Sequence, residues 1–197
     1  MFRLLIATHN KGKMHEIHAL LSDLPIELVS PEDVGAMLHV EEDGDTYVDN
    51  ATKKAVAFAD ASGLVSLADD SGLEVDVLAG APGLRSARYH PVASATDADR
   101  RAHLLRNLRG SSRPWTAQFR AAIAIATPQG GVQCAEGACA GEIIPEERGT
   151  GGFGYDRIFL VEDTGRTMAE LQMAEKNVLS HRARAILKAK AILAGFI

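Results

Sequence analysis

Five short segments of this chain carry residue types that can act together on a phosphorylated ligand. Thr8-His9-Asn10-Lys11-Gly12-Lys13 is a polar turn between an apolar run and a stretch of helical spacing. A helix that opens there presents free N–H groups and the positive end of its dipole, which favour phosphate. Thr8 and Asn10 add donors, and Lys13 can reach an anionic oxygen. The GxxxxGK[ST] pattern of a P-loop is absent. Asp69-Asp70-Ser71-Gly72 follows an apolar run, and adjacent carboxylates in a crowded place require a cation or donors to offset them. Magnesium prefers oxygen ligands and typically shares one or two carboxylates with substrate phosphates. Glu41-Glu42-Asp43-Gly44-Asp45 supplies a second metal ligand if it folds toward Asp70. The Gly149-Thr150-Gly151-Gly152-Phe153-Gly154-Tyr155-Asp156 loop has four glycines in six residues, then aromatic and acidic side chains. Such a loop can approach a ligand closely, stack on a planar base and bond its edge. Lys176, His181 and Arg182 place three donors within seven positions, suited to phosphate or to a purine carbonyl oxygen. Each segment alone also reads as an ordinary turn, solvated loop or basic helix face. Their joint occurrence is what points to a nucleotide.

The elements that must position these residues can be read from periodicity. Leu4–Ala7 reads as a short buried strand, and Met14, Ile17, Leu20 and Leu21 recur at helical spacing after the polar turn. Ile26–Val29 is a second strand. Thr46 or Asp45 caps a helix through Ala51, Ala55, Phe58 and Ala59 that stops at Ser62-Gly63. Leu64–Ala68 returns as a buried strand, and the expectation is that Asp69-Asp70-Ser71-Gly72 interrupts it. Thr96, with Asp97 and Asp99, opens a helix carrying Leu104, Leu105 and Leu108. Trp115 to Ile125 is apolar at every odd position, which predicts a long half-exposed strand. Pro128-Gln129-Gly130-Gly131 turns it into a partner strand over Val132–Ile143. Thr167-Met168-Ala169-Glu170 matches a capping box, and a basic helix is predicted from about Ser180 to Leu193. Repeats, low-complexity tracts and interdomain linkers are absent. Mingled strands and helices imply an α/β fold with a mixed sheet, read as one domain over residues 1–197.

Composition narrows the partners. The 197 residues include 26 acidic and 21 basic side chains, a formal net charge of −5. That balance argues against a general nucleic-acid binder, which needs a basic footprint. No stretch approaches the roughly 18 apolar residues of a membrane span, so no membrane partner is expected. The N-terminus reads as too short for a signal peptide. Cys134 and Cys139 make neither a CxxC motif nor a disulfide framework, so a reduced, cytoplasmic setting is expected.

In this order the segments resemble the inosine/xanthosine triphosphate pyrophosphatase family. The resemblance lies in Ile6–Lys13, Asp49-Asn50-Ala51 with Lys54-Ala55, Ala68–Asp76, Gly80-Ala81-Pro82-Gly83, Ser86-Ala87-Arg88-Tyr89, Gly151–Asp156, Ala169-Glu170-Leu171, Glu175-Lys176-Asn177 and Ser180-His181-Arg182. It runs from Ile6 to about Ala185, and several of its motifs exceed six residues. It implies a long central mixed sheet with flanking helices, two lobes forming a nucleotide-binding groove, and a homodimer. It also implies magnesium-dependent hydrolysis of ITP, dITP and XTP to monophosphate and pyrophosphate. His9 and Arg157 depart from the usual pattern, standing where a small residue and a proline are common. Both flank the expected site without removing a group that the chemistry needs.

The mechanism expected on this resemblance places Mg²⁺ between Asp70, Glu41 and the phosphates, with Asp70 also the general base for water attacking the α-phosphorus. Glu41 is preferred to Glu42 by its offset from Gly44. Thr8–Lys13 and Lys54 would hold the phosphate tail, and Ser71 would help at the metal end. Phe153 would stack on the base, with Gly154, Tyr155 and Asp156 shaping its edge. Lys176, His181 and Arg182 would donate to the purine 6-oxo group. Two rivals remain open: a pyrophosphatase acting on modified pyrimidine or ordinary nucleotides, and a non-catalytic nucleotide-binding regulator.

Overall fold

The apolar run Leu4-Leu5-Ile6 lies fully buried in β1 (Phe2–Ile6) of the computed structural model, which describes residues 1–197. The chain continues through α1 (Lys11–Leu21), β2 (Ile26–Val29), α2 (Tyr47–Ser62) and β3 (Val65–Val75). Then follow α3 (Asp97–Asn107), β4 (Trp115–Ala126), β5 (Val132–Ile143), β6 (Phe159–Val161), α4 (Met173–Leu179) and α5 (His181–Leu193). Local chemistry sets several of these boundaries. Thr46 and Asp49 form a capping box at the start of α2, and Thr96 and Asp99 form one at the start of α3. Gly63, in the left-handed region at φ 68°, closes α2 by donating its N–H to the Ala59 carbonyl.

The six strands form one mixed sheet in the order β2-β1-β3-β4-β5-β6. β1 runs parallel to both of its neighbours, with Leu4 opposite Leu28 of β2 and Val65 of β3. β5 and β6 are antiparallel, with Glu142 opposite Leu160. The α/β class and mixed sheet expected from the sequence are therefore present. No helix is long and apolar enough to cross a membrane.

The chain divides into two compact units, each with its own core. The first comprises Met1–Asp70, Ala121–Gly137 and Arg182–Ile197, and buries Leu4, Ile6, Ile17, Leu21, Leu67, Ile123 and Ile186. The second comprises Ser71–Arg120 and Ala138–His181, and buries Leu73, Leu104, Trp115, Phe119, Tyr155, Ile158 and Phe159. The second core includes the aromatic side chains of Trp115, Phe119, Tyr155 and Phe159, while the buried members of the first are all aliphatic.

Two expectations need correction. The strand predicted to stop at Ala68 continues without a break through Asp69-Asp70-Ser71-Gly72 to Val75. Adjacent carboxylates are tolerated within it because donors from other elements meet them, as described below. β4 is half-exposed only in its first half; from Ala121 to Ala126 it is buried throughout, because the even positions there are alanines and pack as readily as the odd ones. The basic C-terminal helix is present as expected, over His181–Leu193, with Ser180 capping α4 before it. It buries Ala183, Ala185, Ile186, Ala189 and Leu193 beneath its charged residues.

Candidate active site

In the first unit, the Thr8–Lys13 turn is organised by its own side chains. Thr8 Oγ1 accepts from the Asn10 N–H at 3.2 Å, and Asn10 Oδ1 caps α1 by accepting from the Lys13 N–H at 3.0 Å. The Lys13 ammonium then reaches across to Asp69, 2.5 Å from Oδ1. From α2, Lys54 Nζ donates to the Asp69 carbonyl at 2.9 Å and to Glu42 Oε1 at 2.5 Å. His9 turns elsewhere: Nε2 lies 3.1 Å from the Leu38 carbonyl and Nδ1 3.4 Å from Glu32 Oε1. It thus ties the turn to the 32–38 loop. Lys11 is exposed and Gly12 half-buried at the start of α1.

The two adjacent carboxylates have opposite surroundings, as strand alternation requires. Asp69 is fully buried, and burial alone would push its carboxyl upward. The charges of Arg182 and Lys13, with the bonds both donate, overcome that and hold it well below the usual carboxylate range. Arg182 donates Nε to Asp69 Oδ2 at 3.0 Å, and its Nη1 pairs with Glu16. Asp70 goes the other way. Burial is the largest influence and Glu42 adds to it, so its carboxyl is raised despite Lys13 and Lys54. Asn50 Nδ2 donates to Asp70 Oδ2 at 3.1 Å, while Asn50 Oδ1 accepts from the Gly44 N–H at 2.8 Å. A Cβ on Gly44 would collide with Asp49 and Asn50, so only glycine brings the acidic loop this close. The two neighbouring carboxyls are thus pushed in opposite directions, Asp69 by its paired cations and Asp70 by burial.

Asp70 and Glu42 feel each other's charge, whereas Glu41 is exposed. No group of three or more His, Cys, Asp and Glu side chains comes together. Magnesium tolerates such a sparse donor set because it keeps several waters and takes further oxygens from phosphates.

In the second unit, the glycine-rich loop is built around Asp156. Its Oδ2 accepts from Lys176 Nζ at 3.0 Å and from the Phe153 N–H at 3.2 Å, and both Asp156 and Lys176 are buried. Gly151 N–H donates to the Ala169 carbonyl at 3.1 Å, and Gly149 lies against the Ala169 backbone. Tyr155 points into the core, its hydroxyl donating to the Ser86 carbonyl at 2.9 Å and its ionisation pushed upward by burial. His181 stacks on Phe119, ring centroids 4.7 Å apart at 15°. Ser71 is half-buried in β3 and Phe153 half-buried in the loop.

The structure therefore brings Lys13, Lys54, Asp69, Asp70 and Arg182 together, and separately gathers Phe153, Asp156 and Lys176. Sequence reasoning missed Asn50 and Glu16. Asn50 had a signal, since Asp49-Asn50-Ala51 is part of the resemblance; Glu16 had none, because a charged residue on α1 reads as solvated.

Gly152 is less replaceable than Gly154. Its φ is +70°, and a Cβ there would fall on the Asp156 carboxylate. Gly154, at φ +58°, has open space around a Cβ and would suffer backbone strain alone. Gly152→Ala is expected to cost about 2–4 kcal/mol, against about 1–2 kcal/mol for Gly154→Ala. Thermal melts of the two variants check the order.

Comparison with known proteins identifies the family. A family model described as the Ham1 family matches residues 4–192. A protein of Desulforamulus reducens named dITP/XTP pyrophosphatase is 48% identical over 192 residues, covering 97% of this chain and 95% of its own. One of the same name from Geobacter sulfurreducens is 49% identical over 189 residues, covering 94% of each. The solved structure of a HAM1 protein from Coxiella burnetii superposes with a TM-score of 0.89 at 38% identity, over 99% of this chain and 100% of that one.

Proposed function

The chain belongs to the Ham1 family, and on that premise we propose that it is a nucleoside-triphosphate pyrophosphatase. It removes aberrant purine nucleotides, ITP, dITP and XTP, by hydrolysis to the monophosphate and pyrophosphate. The observation that carries the reading is the buried Asp69-Asp70 pair on β3, with Arg182 and Lys13 bonded to Asp69, Asn50 to Asp70 and Lys54 to the Asp69 carbonyl.

In this reading Thr8–Lys13 and Lys54 receive the phosphate chain. The Asn10-capped N-terminus of α1 offers donors, and Lys13 and Lys54 exchange part of their pairing with Asp69 and Glu42 for phosphate oxygens. Asp70 accepts a proton from the water that attacks the α-phosphorus. The bond from that phosphorus to the bridging oxygen breaks, and pyrophosphate carries the electron pair away. Asp70 and Glu42 would hold Mg²⁺, which would neutralise charge on the phosphates when bound. Glu42 takes the place first assigned to Glu41, because its charge bears on Asp70. Ser71 follows Asp70 on the strand and serves the metal end.

Base selection falls to Phe153, Gly154, Asp156, Lys176 and His181, with Tyr155 bracing the loop from within. A 6-oxo purine presents an acceptor and an N1–H donor, which suit the Lys176 ammonium and the Asp156 carboxylate. Adenine presents the reverse, and each buried mismatch costs about 1–3 kcal/mol. Arg182 is assigned a positioning role through Asp69, to which it is bonded. The whole chain acts as one catalytic domain, in the cytoplasm and as a homodimer.

Initial rates over a panel of purine and pyrimidine triphosphates, with and without Mg²⁺ and with the products identified, test this reading. Magnesium-dependent release of pyrophosphate from dITP and XTP, well above dATP, is expected. Turnover confined to pyrimidine or ordinary nucleotides, or binding without turnover, would overturn it.

A further inference from the structure

The glycine-rich loop is held from outside by one face of α3. Asp97 and Arg101 stand four residues apart, the spacing that aligns side chains on a helix, and both reach Gly154. The Gly154 N–H donates to Asp97 Oδ2 at 2.8 Å, and the Gly154 carbonyl accepts from Arg101 Nη1 at 2.8 Å. Arg101 is buried, and its planar group is fixed from the other side by Glu147, with Nε 2.7 Å from Oε1 and Nη2 3.0 Å from Oε2. Asp97 is itself steadied by Arg100 at 2.5 Å. The peptide groups on both sides of one residue are thereby gripped by charged side chains, one accepting and one donating. Gly154 adopts φ +58°, which presents its N–H and carbonyl to a single neighbouring helix. Its neighbours in sequence are Phe153, whose N–H meets Asp156, and Tyr155, whose hydroxyl is anchored at Ser86.

We propose that Asp97 and Arg101 are positioning residues for purine recognition: by clamping Gly154 they set the backbone that carries Phe153 and Asp156. The proposal rests on the reading that this loop meets the base. Neither residue touches substrate. Displacing the loop by a fraction of an ångström would misalign the stacking ring and the carboxylate together while leaving Asp70 and the phosphate turn in place.

Kinetics of Arg101→Met and Asp97→Ala with dITP and dATP, together with inhibition by inorganic tripolyphosphate, separate this role from general support of the fold. Arg101→Met should raise KM for dITP about tenfold or more, leave kcat within about twofold, and narrow the preference for dITP over dATP. Inhibition by tripolyphosphate, which lacks a base, should be unchanged. Asp97→Ala should act in the same direction and less strongly, because Thr96 still caps α3. Arg101→Lys, which can keep one bond to the Gly154 carbonyl, should recover part of the loss. Hydrogen exchange of the 153–156 amides should quicken in both Arg101→Met and Asp97→Ala. If those amides exchange no faster and the dITP to dATP ratio is unchanged, the clamp is wrong. If Arg101→Met fails to fold, Asp97→Ala carries the test by the same readouts. If the wild type hydrolyses no purine triphosphate, the functional reading fails, and exchange still decides whether the clamp exists.

Discussion

Asp70→Asn should lower kcat for dITP about a thousandfold and leave the protein at least as stable as the wild type. The two halves of this expectation come from the same observation. Burial opposes the charged form of Asp70, so its carboxyl is raised above the ordinary range even with Lys13 and Lys54 nearby. A raised carboxyl favours the fold when it is protonated, and that advantage is lost as pH rises through the folded-state value. At neutral pH the carboxylate is a burden on the native state that an amide of the same shape removes. The amide can still accept from Asn50 Nδ2, so the local geometry survives. It cannot take a proton from water. Activity of the wild type should accordingly fall on the acid side at a higher pH than an unshifted aspartate would give. Asp69→Asn is the control, and its sign is opposite. Asp69 is held below that range by Arg182 and Lys13, so its contribution is present at neutral pH and is lost only far into acid. Removing its charge should cost about 3–5 kcal/mol. Thermal melts and initial rates on the pair decide the assignment. An Asp70→Asn enzyme with near wild-type kcat would take the proton transfer away from Asp70.

What could be read in the sequence was governed by how far apart the interacting residues stand. The caps at Thr46 and Thr96, the stop at Gly63 and the bounds of β5 depend on neighbours within a turn, and all were legible. β3 was not. Its continuation through Asp69 and Asp70 depends on Lys13, Arg182, Lys54 and Asn50, which come from three helices and lie between 15 and 113 positions away. Periodicity records what a segment wants to bury and carries no information about distant donors that make a carboxylate acceptable inside a strand. The same limit applies to α3. Its leucine stripe and cap were visible, but the contacts of Asp97 and Arg101 were not, since their partner is the backbone of Gly154, over fifty positions ahead. The acidic loop is a smaller case of the same limit: the fold of Gly44 onto Asn50, with Glu42 bonded to Lys54 and Glu41 exposed, could not be read from spacing.

Arg182→Met is expected to be the most destabilising single change in the first unit, about 3–5 kcal/mol. For a protein of this size that is a fall in Tm of about 10 °C. Arg182 is almost fully buried, and it bonds Asp69 through Nε and Nη2 and Glu16 through Nη1. A methionine fills similar volume but removes the cation that both carboxylates share. Lys13 stays beside Asp69, at 2.5 Å from Oδ1, and is the reason the loss should be partial rather than complete unfolding. The deficit should depend on pH in a definite direction. In the wild type Asp69 remains ionised far into acid because its carboxyl is depressed. Without Arg182 that depression relaxes, so lowering the pH toward the ordinary carboxylate range protonates the buried group and narrows the gap between variant and wild type. Glu16→Gln combined with Arg182→Met should recover part of the stability at neutral pH, because one buried charge has then been removed with its partner. A variant that melts within about 2 °C of the wild type but loses its preference for dITP over dATP would show instead that Arg182 reads the base, as its place in the Ser180-His181-Arg182 motif first implied.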